Sequence, residues 1–293
     1  MKTSTAEWQA RGRYLTVSGR RVFTVDVPAA AGSNPAPTVL ALHGFPTSSW
    51  DFADAAAELA RRGHRVILFD YTGFGFSDKP ADLSGSVFDH ADVAIAVMQA
   101  AGVPRVVIWA HDLGTSVATE LLARREQGQL PFEIAGLVLM NGGVFVEMSK
   151  PGLGQRLLMS KAGPLLARLN RRGIFVKQMR QLFGHEPAPG LLDAMWDLVA
   201  RERGHLRMAR TIRFMEERAR FRDRWVGALT RVTIPVVVAW GARDPVTRLD
   251  IGQRLAREIT GATLVAWDDL GHYPHAEDPV RAADAVAGIR VGA

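Results

Sequence analysis

The feature that most constrains this chain is a series of short apolar runs. Each is stopped by a turn bearing Gly, His or Asp, and most lead into a helical pattern. "TVLALHG", "RVILFD", "RVVIWAHD" and "IAGLVLMNGG" fill the first half, and "IPVVVAWG" and "TLVAWDD" return near the end. Unbroken apolar runs of this length read as strands buried on both faces. The intervening segments read as helices: about Trp50 to Arg62, "DHADVAIAVMQAAG" closed by Gly102, the stretch from Leu113, "LDIGQRLAREI" and "PVRAADAVAGI". Strands joined by helical crossovers form a mostly parallel sheet covered on both faces. A hairpin precedes them, "GRYLTV" and "RRVFTVDV", turning at Ser18-Gly19.

From about Val144 to Leu229 the rhythm changes. "GQRLLMSKAGPLLARLNRR", "LLDAMWDLVARER" and "LRMARTIRFMEERARFRDRW" carry helical spacing, and no buried strand interrupts them. The expected architecture is α/β, with a core of residues 1–143 and 230–293 and an inserted all-helical cap of residues 144–229.

Composition narrows the chemistry. The chain has no cysteine, which excludes disulfides, thiolate metal sites and a thiol nucleophile. No His/Asp/Glu group has metal-ligand spacing, so no metal and no cofactor is expected. The opening "MKTSTAEWQARGRYL" lacks the apolar core of a signal peptide. No window approaches the ~18 apolar residues of a membrane span, so a cytoplasmic protein is expected. The net charge is +6, and it is uneven: Phe145 to Arg231 holds 18 Lys/Arg against 8 Asp/Glu. No nucleic-acid motif accompanies that charge, so it reads as a solvated Arg-rich helical surface rather than a nucleic-acid partner site.

In a parallel sheet, reactive groups gather at the carboxyl ends of strands. Four such ends stand out: "HGFP" (43–46), "HDLG" (111–114), "GARDPV" (241–246) and "LGHY" (270–273). Asp112 sits between a strand and a helix start, flanked at Ala110 and Gly114 by small residues, as a nucleophile on a sharp turn requires. The following helix N-terminus favours an anion there. An ordinary N-cap is the plain alternative for Asp112. His272 is the candidate base. Asp244 is the candidate acid that orients it, with Asp268 and Asp269 as rivals. Backbone N–H groups of Phe45 and Leu113 are candidates for an oxyanion hole. Two sequences imitate other motifs. "GTSVA" resembles a serine elbow, but it would put Ser116 a turn inside the helix. "GFGFSDKP" is glycine-rich but lacks the ending of a phosphate loop, and reads as a structural turn. His43 and His111 read as packed strand ends, and His64, His90 and His185 as surface residues.

Taken in order, "HGFP", "GFGFSDKP", "AHDLGT", "ARDPV" and "GHYP" resemble the epoxide hydrolase and haloalkane dehalogenase branch of the α/β-hydrolases. "HGFPTSSWDF", "NGGVFVE", "RWVGAL", "VTIP" and "HYPHAEDP" are most similar to the mesoderm-specific transcript protein subgroup of that branch. The resemblance implies an α/β-hydrolase fold and a two-step hydrolysis of a small hydrophobic organic substrate. Asp112 attacks carbon to give an alkyl ester. His272, held by Asp244, then activates water to cleave it. An epoxide is the first expectation and a haloalkane the second, while a serine esterase using Ser116 and a non-catalytic binding protein are further alternatives.

The departures concern the leaving group. Epoxide hydrolases of this type use cap tyrosines, and the tyrosines here are Tyr14, Tyr71 and Tyr273, none within 144–229. Haloalkane dehalogenases usually place Trp after the nucleophile, where this chain has Leu113, and some place Asn where it has Phe45. Fluoroacetate dehalogenases place Arg residues after the nucleophile, where Leu113 and Ser116 stand. Candidate pocket residues are Trp196, Phe214 (taken as the counterpart of a cap tyrosine) and Tyr273, with His205, Trp225 and Lys161 as weaker ones.

Overall fold

The computed structural model describes residues 2–34, 36–148 and 151–292. The chain opens with a helix that the sequence reading passed over, α1 (Thr5–Arg11). Its signal is a capping box, in which Ser4 and Glu7 satisfy each other's free backbone N–H groups. The hairpin β1 (Arg13–Val17) and β2 (Arg20–Val27) turns at Ser18 and Gly19, both at positive φ, as a two-residue hairpin turn demands. Then come β3 (Val39–Leu42), a 3-10 turn at Ser49–Phe52, α2 (Ala53–Arg61), β4 (Val66–Phe69), α3 (Val87–Ala101), β5 (Arg105–His111), α4 (Leu113–Glu126) and β6 (Glu133–Met140). Gly102 closes α3 in the left-handed conformation.

Between β6 and the next strand, every regular element among the described residues is helical. These are α5 (Leu153–Met159), α6 (Gly163–Leu166), α7 (Arg172–Arg180), α8 (Leu191–Ala200), α9 (Met208–Thr211), α10 (Phe214–Arg220) and α11 (Arg222–Thr230), with short 3-10 turns between some of them. The core resumes with β7 (Val236–Gly241), α12 (Leu249–Glu258), β8 (Thr263–Trp267), α13 (Pro274–Glu277) and α14 (Pro279–Ala287).

The eight strands form one sheet in the order β1-β2-β4-β3-β5-β6-β7-β8. The β1–β2 and β2–β4 pairs are antiparallel, and all later pairs are parallel. β3, β4 and β7 are buried along their whole length, because helices cover both faces of a parallel sheet. Packing of α2 on α14 and of α3 on α4 supplies two of these layers.

The stretches with helical spacing are helical but interrupted. "GQRLLMSKAGPLLARLNRR" is broken: Ser160 is extended, and Pro164 falls in the first turn of α6, since proline cannot donate the backbone bond of a helix interior. "LRMARTIRFMEERARFRDRW" divides into α9, α10 and α11. His64 and His90, expected at the surface, are 3 % and 1 % exposed. His64 Nδ1 lies 2.7 Å from the Pro37 carbonyl, and His90 packs on Tyr71. Burial pushes the His90 pKa down to about 3, so it is a neutral packing ring.

Ion pairs account for part of the basic helical segment. Arg224 and Arg231 reach Glu120 and Glu126 on α4, and Arg222 reaches Glu147. Glu120 is the hub. It is 1 % exposed and accepts from Arg124 Nε at 2.8 Å, Arg224 Nε at 2.7 Å and Trp225 Nε1 at 2.9 Å. These bonds tie α11 to the helix that follows Asp112.

Candidate active site

β5 runs through His111, and α4 starts at Leu113, so Asp112 alone makes the turn. Its backbone sits at φ 45°, ψ −107°, a strained conformation for a residue other than glycine. The turn depends on close approach. A Cβ on Gly114 would lie 2.2 Å from the Leu42 carbonyl oxygen, so only glycine lets α4 start this close to β3. The Asp112 side chain makes no capping bond to its own helix. Instead its Oδ2 accepts the Phe45 N–H at 2.9 Å. That donor is held from behind. His43 Nδ1 lies 2.9 Å from the Gly44 carbonyl, the other end of the same peptide, and His43 Nε2 accepts from Tyr71 N at 3.1 Å. Burial lowers the His43 pKa, so a neutral ring donating from Nδ1 fits both bonds.

The second group is a His–Asp pair. His272 Nδ1 lies 2.6 Å from Asp244 Oδ2. Asp244 is fixed by the backbone N–H groups of Val246 (2.7 Å) and Thr247 (3.0 Å), by Asn141 Nδ2 (2.8 Å) and by the Thr247 hydroxyl. Burial favours a neutral Asp244, yet the His272 charge and these donors together hold its pKa below the ordinary carboxylate value. Burial likewise pulls His272 down, and the Asp244 charge outweighs it, with Asp112 and Glu277 adding to the rise. The rivals of Asp244 point elsewhere: Asp269 pairs with Arg281, and Asp268 contributes its carbonyl to Arg243. The His272 backbone is anchored too, donating to the Leu182 carbonyl of the helical segment at 2.7 Å and accepting from the His111 ring at 2.7 Å.

The third element has no counterpart in the sequence reading. Arg218 of α10 is 6 % exposed and enters the site from the helical segment. Its Nη2 donates to the Asp112 carbonyl at 2.9 Å and lies 3.8 Å from Asp112 Oδ1. Its Nε donates to Ser116 Oγ at 2.6 Å. Burial lowers the guanidinium pKa and the Asp112 charge opposes that. The Arg218 guanidinium also lies 4.6 Å over the Phe214 ring, which packs 6.0 Å from Phe45. Its signal was faint but present. Phe214, Arg218, Phe221 and Trp225 recur at helical spacing, which puts an arginine on an apolar stripe. In so arginine-rich a segment that position does not stand out. Asn141 was also missed; it has positive φ just after β6, where asparagine is tolerated.

The remaining expected residues divide. Phe214 and Tyr273 stand at the site, and the Tyr273 hydroxyl lies 3.5 Å from the Phe45 carbonyl. Leu113 is buried at the start of α4, but its N–H has no acceptor among the described residues. Trp196 is not brought to the site: its ring neighbours are Phe175 and His205, because the buried face of α8 packs on α7. Ser116 is buried within α4 and is held by Arg218 rather than by its own helix. Trp225 is committed to Glu120, and Lys161 is exposed. The glycine-rich turn is structural. Asp70 accepts from Phe76 N at 2.7 Å and from Ser49 N at 2.8 Å, tying that turn to the loop after β3. No group of His, Asp and Glu among the described residues could hold a metal ion, and no described helix is long and apolar enough to cross a membrane.

The mostly parallel sheet carries a carboxylate on a strained strand–helix turn and a His–Asp pair beyond later strands. The chain belongs to the alpha/beta hydrolase fold family, whose profile matches residues 37–279. Among its relatives are the human mesoderm-specific transcript homolog protein, 37% identical over 291 residues that cover 96% of this chain and 86% of that protein. Another is the Mycobacterium tuberculosis protein LipZ, provisionally named a hydrolase, 35% identical over 290 residues and 98% of each chain. Among solved structures, a haloalkane dehalogenase from Bradyrhizobium elkani superposes with a TM-score of 0.80 at 21% identity, covering 94% of this chain and 96% of that one. An esterase from Exiguobacterium antarcticum superposes at 0.76 and 18%, covering 94% and 98%. At these identities the likeness is one of fold, and two different chemistries share it.

Proposed function

We propose that the protein is a hydrolase with Asp112 as nucleophile, which forms and then hydrolyses a covalent alkyl ester. The observation that carries this reading is the Asp112 carboxylate itself. It occupies a strained turn, makes no cap, and accepts a backbone N–H from the loop after β3. In the proposed reaction Asp112 Oδ1 attacks an electrophilic carbon while Oδ2 stays with Phe45 N–H. Water then adds to the ester carbonyl, giving its proton to His272 Nε2, and the alcohol leaves with that proton. Leu113 N–H is free to join Phe45 in holding the oxyanion. Esterification also removes the Asp112 charge that helps raise the His272 pKa, so the base becomes more neutral at the step that needs it.

In this reading residues 144–229 form a cap that excludes water from the ester, in keeping with the low exposure of Asp112 (7 %) and His272 (3 %). Epoxides and haloalkanes share the triad. The first calls for a proton donor to the ring oxygen, and Tyr273 offers a buried phenol with its hydroxyl beside the Phe45 carbonyl.

Intact mass spectrometry of His272→Gln, incubated with bromoalkanes and epoxides, tests the reading. An adduct mapping to Asp112 is expected, and its mass reports the class of substrate. Ester hydrolysis that survives Asp112→Ala and disappears in Ser116→Ala would replace the reading with a serine esterase.

A further inference from the structure

We infer that the outer face of α5 to α7 is a docking surface for an anionic lipid bilayer, on which the protein lies without crossing it. The surface does not depend on the chemistry at Asp112.

Apolar side chains left in water are concentrated on this face. Among the described residues, the large ones that stay exposed are Tyr14, Val280 and five within residues 153–174: Leu153, Leu157, Leu165, Leu169 and Ile174, which are 44 % to 71 % exposed. Single exposed apolar residues are ordinary, but a cluster marks a surface that meets something. Local structure brings the five together. Leu153 and Leu157 lie one turn apart and share a face of α5, a helix with no buried residue. Leu165 and Leu169 stand at i and i+4 across α6 and the 3-10 turn Ala167–Leu169, whose buried residues are Gly163 and Ala167. α6 closes directly on the end of α5: a Cβ on Gly163 would lie 2.0 Å from the Leu158 carbonyl oxygen. α7 runs beside α5, since a Cβ on Gly154 would lie 3.3 Å from Gln178 Nε2. α7 buries Phe175 and Met179, which leaves Ile174 and Lys177 outside.

Charge on the same stretch is one-sided. Residues 151–185 hold seven Lys/Arg and no Asp or Glu. Arg172 pairs with Asp193 and Asp197, and Arg180 pairs with Glu186. Arg156, Lys161, Arg168, Arg171 and Lys177 are exposed, with no ion-pair partner among the described residues.

Charge and apolarity together select the occupant. A second copy of the chain would bring the same unpaired cations to the contact, so like charge opposes self-association through this face. Nucleic acid would meet the cations but leave the leucines in water, and Phe175 and Phe183 are buried rather than open to stacking bases. Leucine and isoleucine among basic residues suit acyl chains beneath anionic headgroups. α5 and α7 have seven and nine residues, too few to span a bilayer, so they lie in its surface. The leucines then reach the acyl boundary, and the lysine and arginine heads stay among the phosphates.

Cosedimentation of the full chain with sucrose-loaded vesicles tests the surface. Vesicles of equal parts phosphatidylglycerol and phosphatidylcholine should bind it. Pure phosphatidylcholine should bind it about a hundredfold more weakly, since each basic residue at an anionic surface contributes roughly fivefold. Added salt should weaken the anionic binding. Leu153→Ser/Leu157→Ser should weaken it about tenfold or more, and Arg168→Gln/Arg171→Gln by a similar factor of about ten. These positions are exposed, so both variants should melt as wild type does. Val280→Ser and Arg257→Gln, exposed elsewhere, should bind as wild type. No binding to anionic vesicles, equal binding to both lipids, or binding that survives both double variants overturns the surface. A dimer that Leu153→Ser/Leu157→Ser dissolves, with vesicle binding unchanged, would make the face a self-interface instead. A labelled oligonucleotide held through Arg168 and Arg171, with vesicles left unbound, would replace lipid by nucleic acid.

Discussion

Replacing Asp244 by asparagine should stop the reaction halfway. The amide keeps the shape of the carboxylate, and its oxygen can still accept from Val246 and Thr247 N–H. Its nitrogen is now a donor, and the atom it faces is His272 Nδ1, bonded at 2.6 Å to the wild-type carboxylate. To accept that bond the imidazole must carry its proton on Nε2, where the base needs a lone pair. The imidazolium also loses its counter-charge. Opposite charges about 4 Å apart attract by about 4 kcal/mol at an effective dielectric near 20, which is about a thousandfold in rate. The same acid-to-amide change in a Ser-His-Asp triad costs about 10⁴ in turnover, with the wrong tautomer as cause. Hydrolysis of the ester should therefore fall by about 10³ to 10⁴. Attack by Asp112 needs no base and should continue. Rapid-quench mass spectrometry of Asp244→Asn should show the Asp112 adduct building to one per chain while product release stalls. Unchanged turnover would remove Asp244 from the mechanism, and stalled turnover with no adduct would mean that it acts before or during the attack.

Other consequences concern the frame around the site. Glu120→Gln should cost about 3 kcal/mol in urea unfolding at pH 7, because it leaves Arg124, Arg224 and the Trp225 N–H competing for a weaker acceptor. Despite burial, these donors hold the Glu120 pKa below its ordinary value, so its contribution is present above about pH 4.5 and is lost as pH falls through the folded value; wild type and variant should converge in acid. Asp51 behaves in the opposite sense. Burial pushes its pKa up to about 8, against a lowering pull from Thr47, so folding favours its protonated form. Its penalty is absent below about pH 4, grows as pH rises toward 8, and should be missing from Asp51→Asn, whose melting temperature should gain on wild type from pH 5 to 8. Gly114→Ala should destabilise by about 2 kcal/mol or more, since the added carbon meets the Leu42 carbonyl of a buried strand; a melting temperature equal to wild type would show that α4 can move off the sheet.

Asp112, Asp244 and His272 were legible in the sequence because each ends an apolar run or follows one closely, and a parallel sheet brings strand ends to one edge whatever their separation along the chain. Phe45 was legible for the same reason. The sheet itself was legible because burial on both faces leaves no polar alternation in β3, β4 and β7. The helical segment was legible as helical, and little more. Where α9, α10 and α11 break, and that α8 turns Trp196 toward Phe175, depends on which faces meet. Arg218 shows the limit most clearly. In "FMEERAR" it is one arginine among many, and helical periodicity says only that it shares a stripe with Phe214 and Trp225. That its guanidinium reaches the Asp112 carbonyl, a hundred residues away in the chain, is decided by how α11 is clamped to α4 through Glu120. Local pattern determined where the candidate groups of the core come together, since strand ends converge by topology. The charge standing over them came from packing between two parts of the chain, which no local pattern encodes.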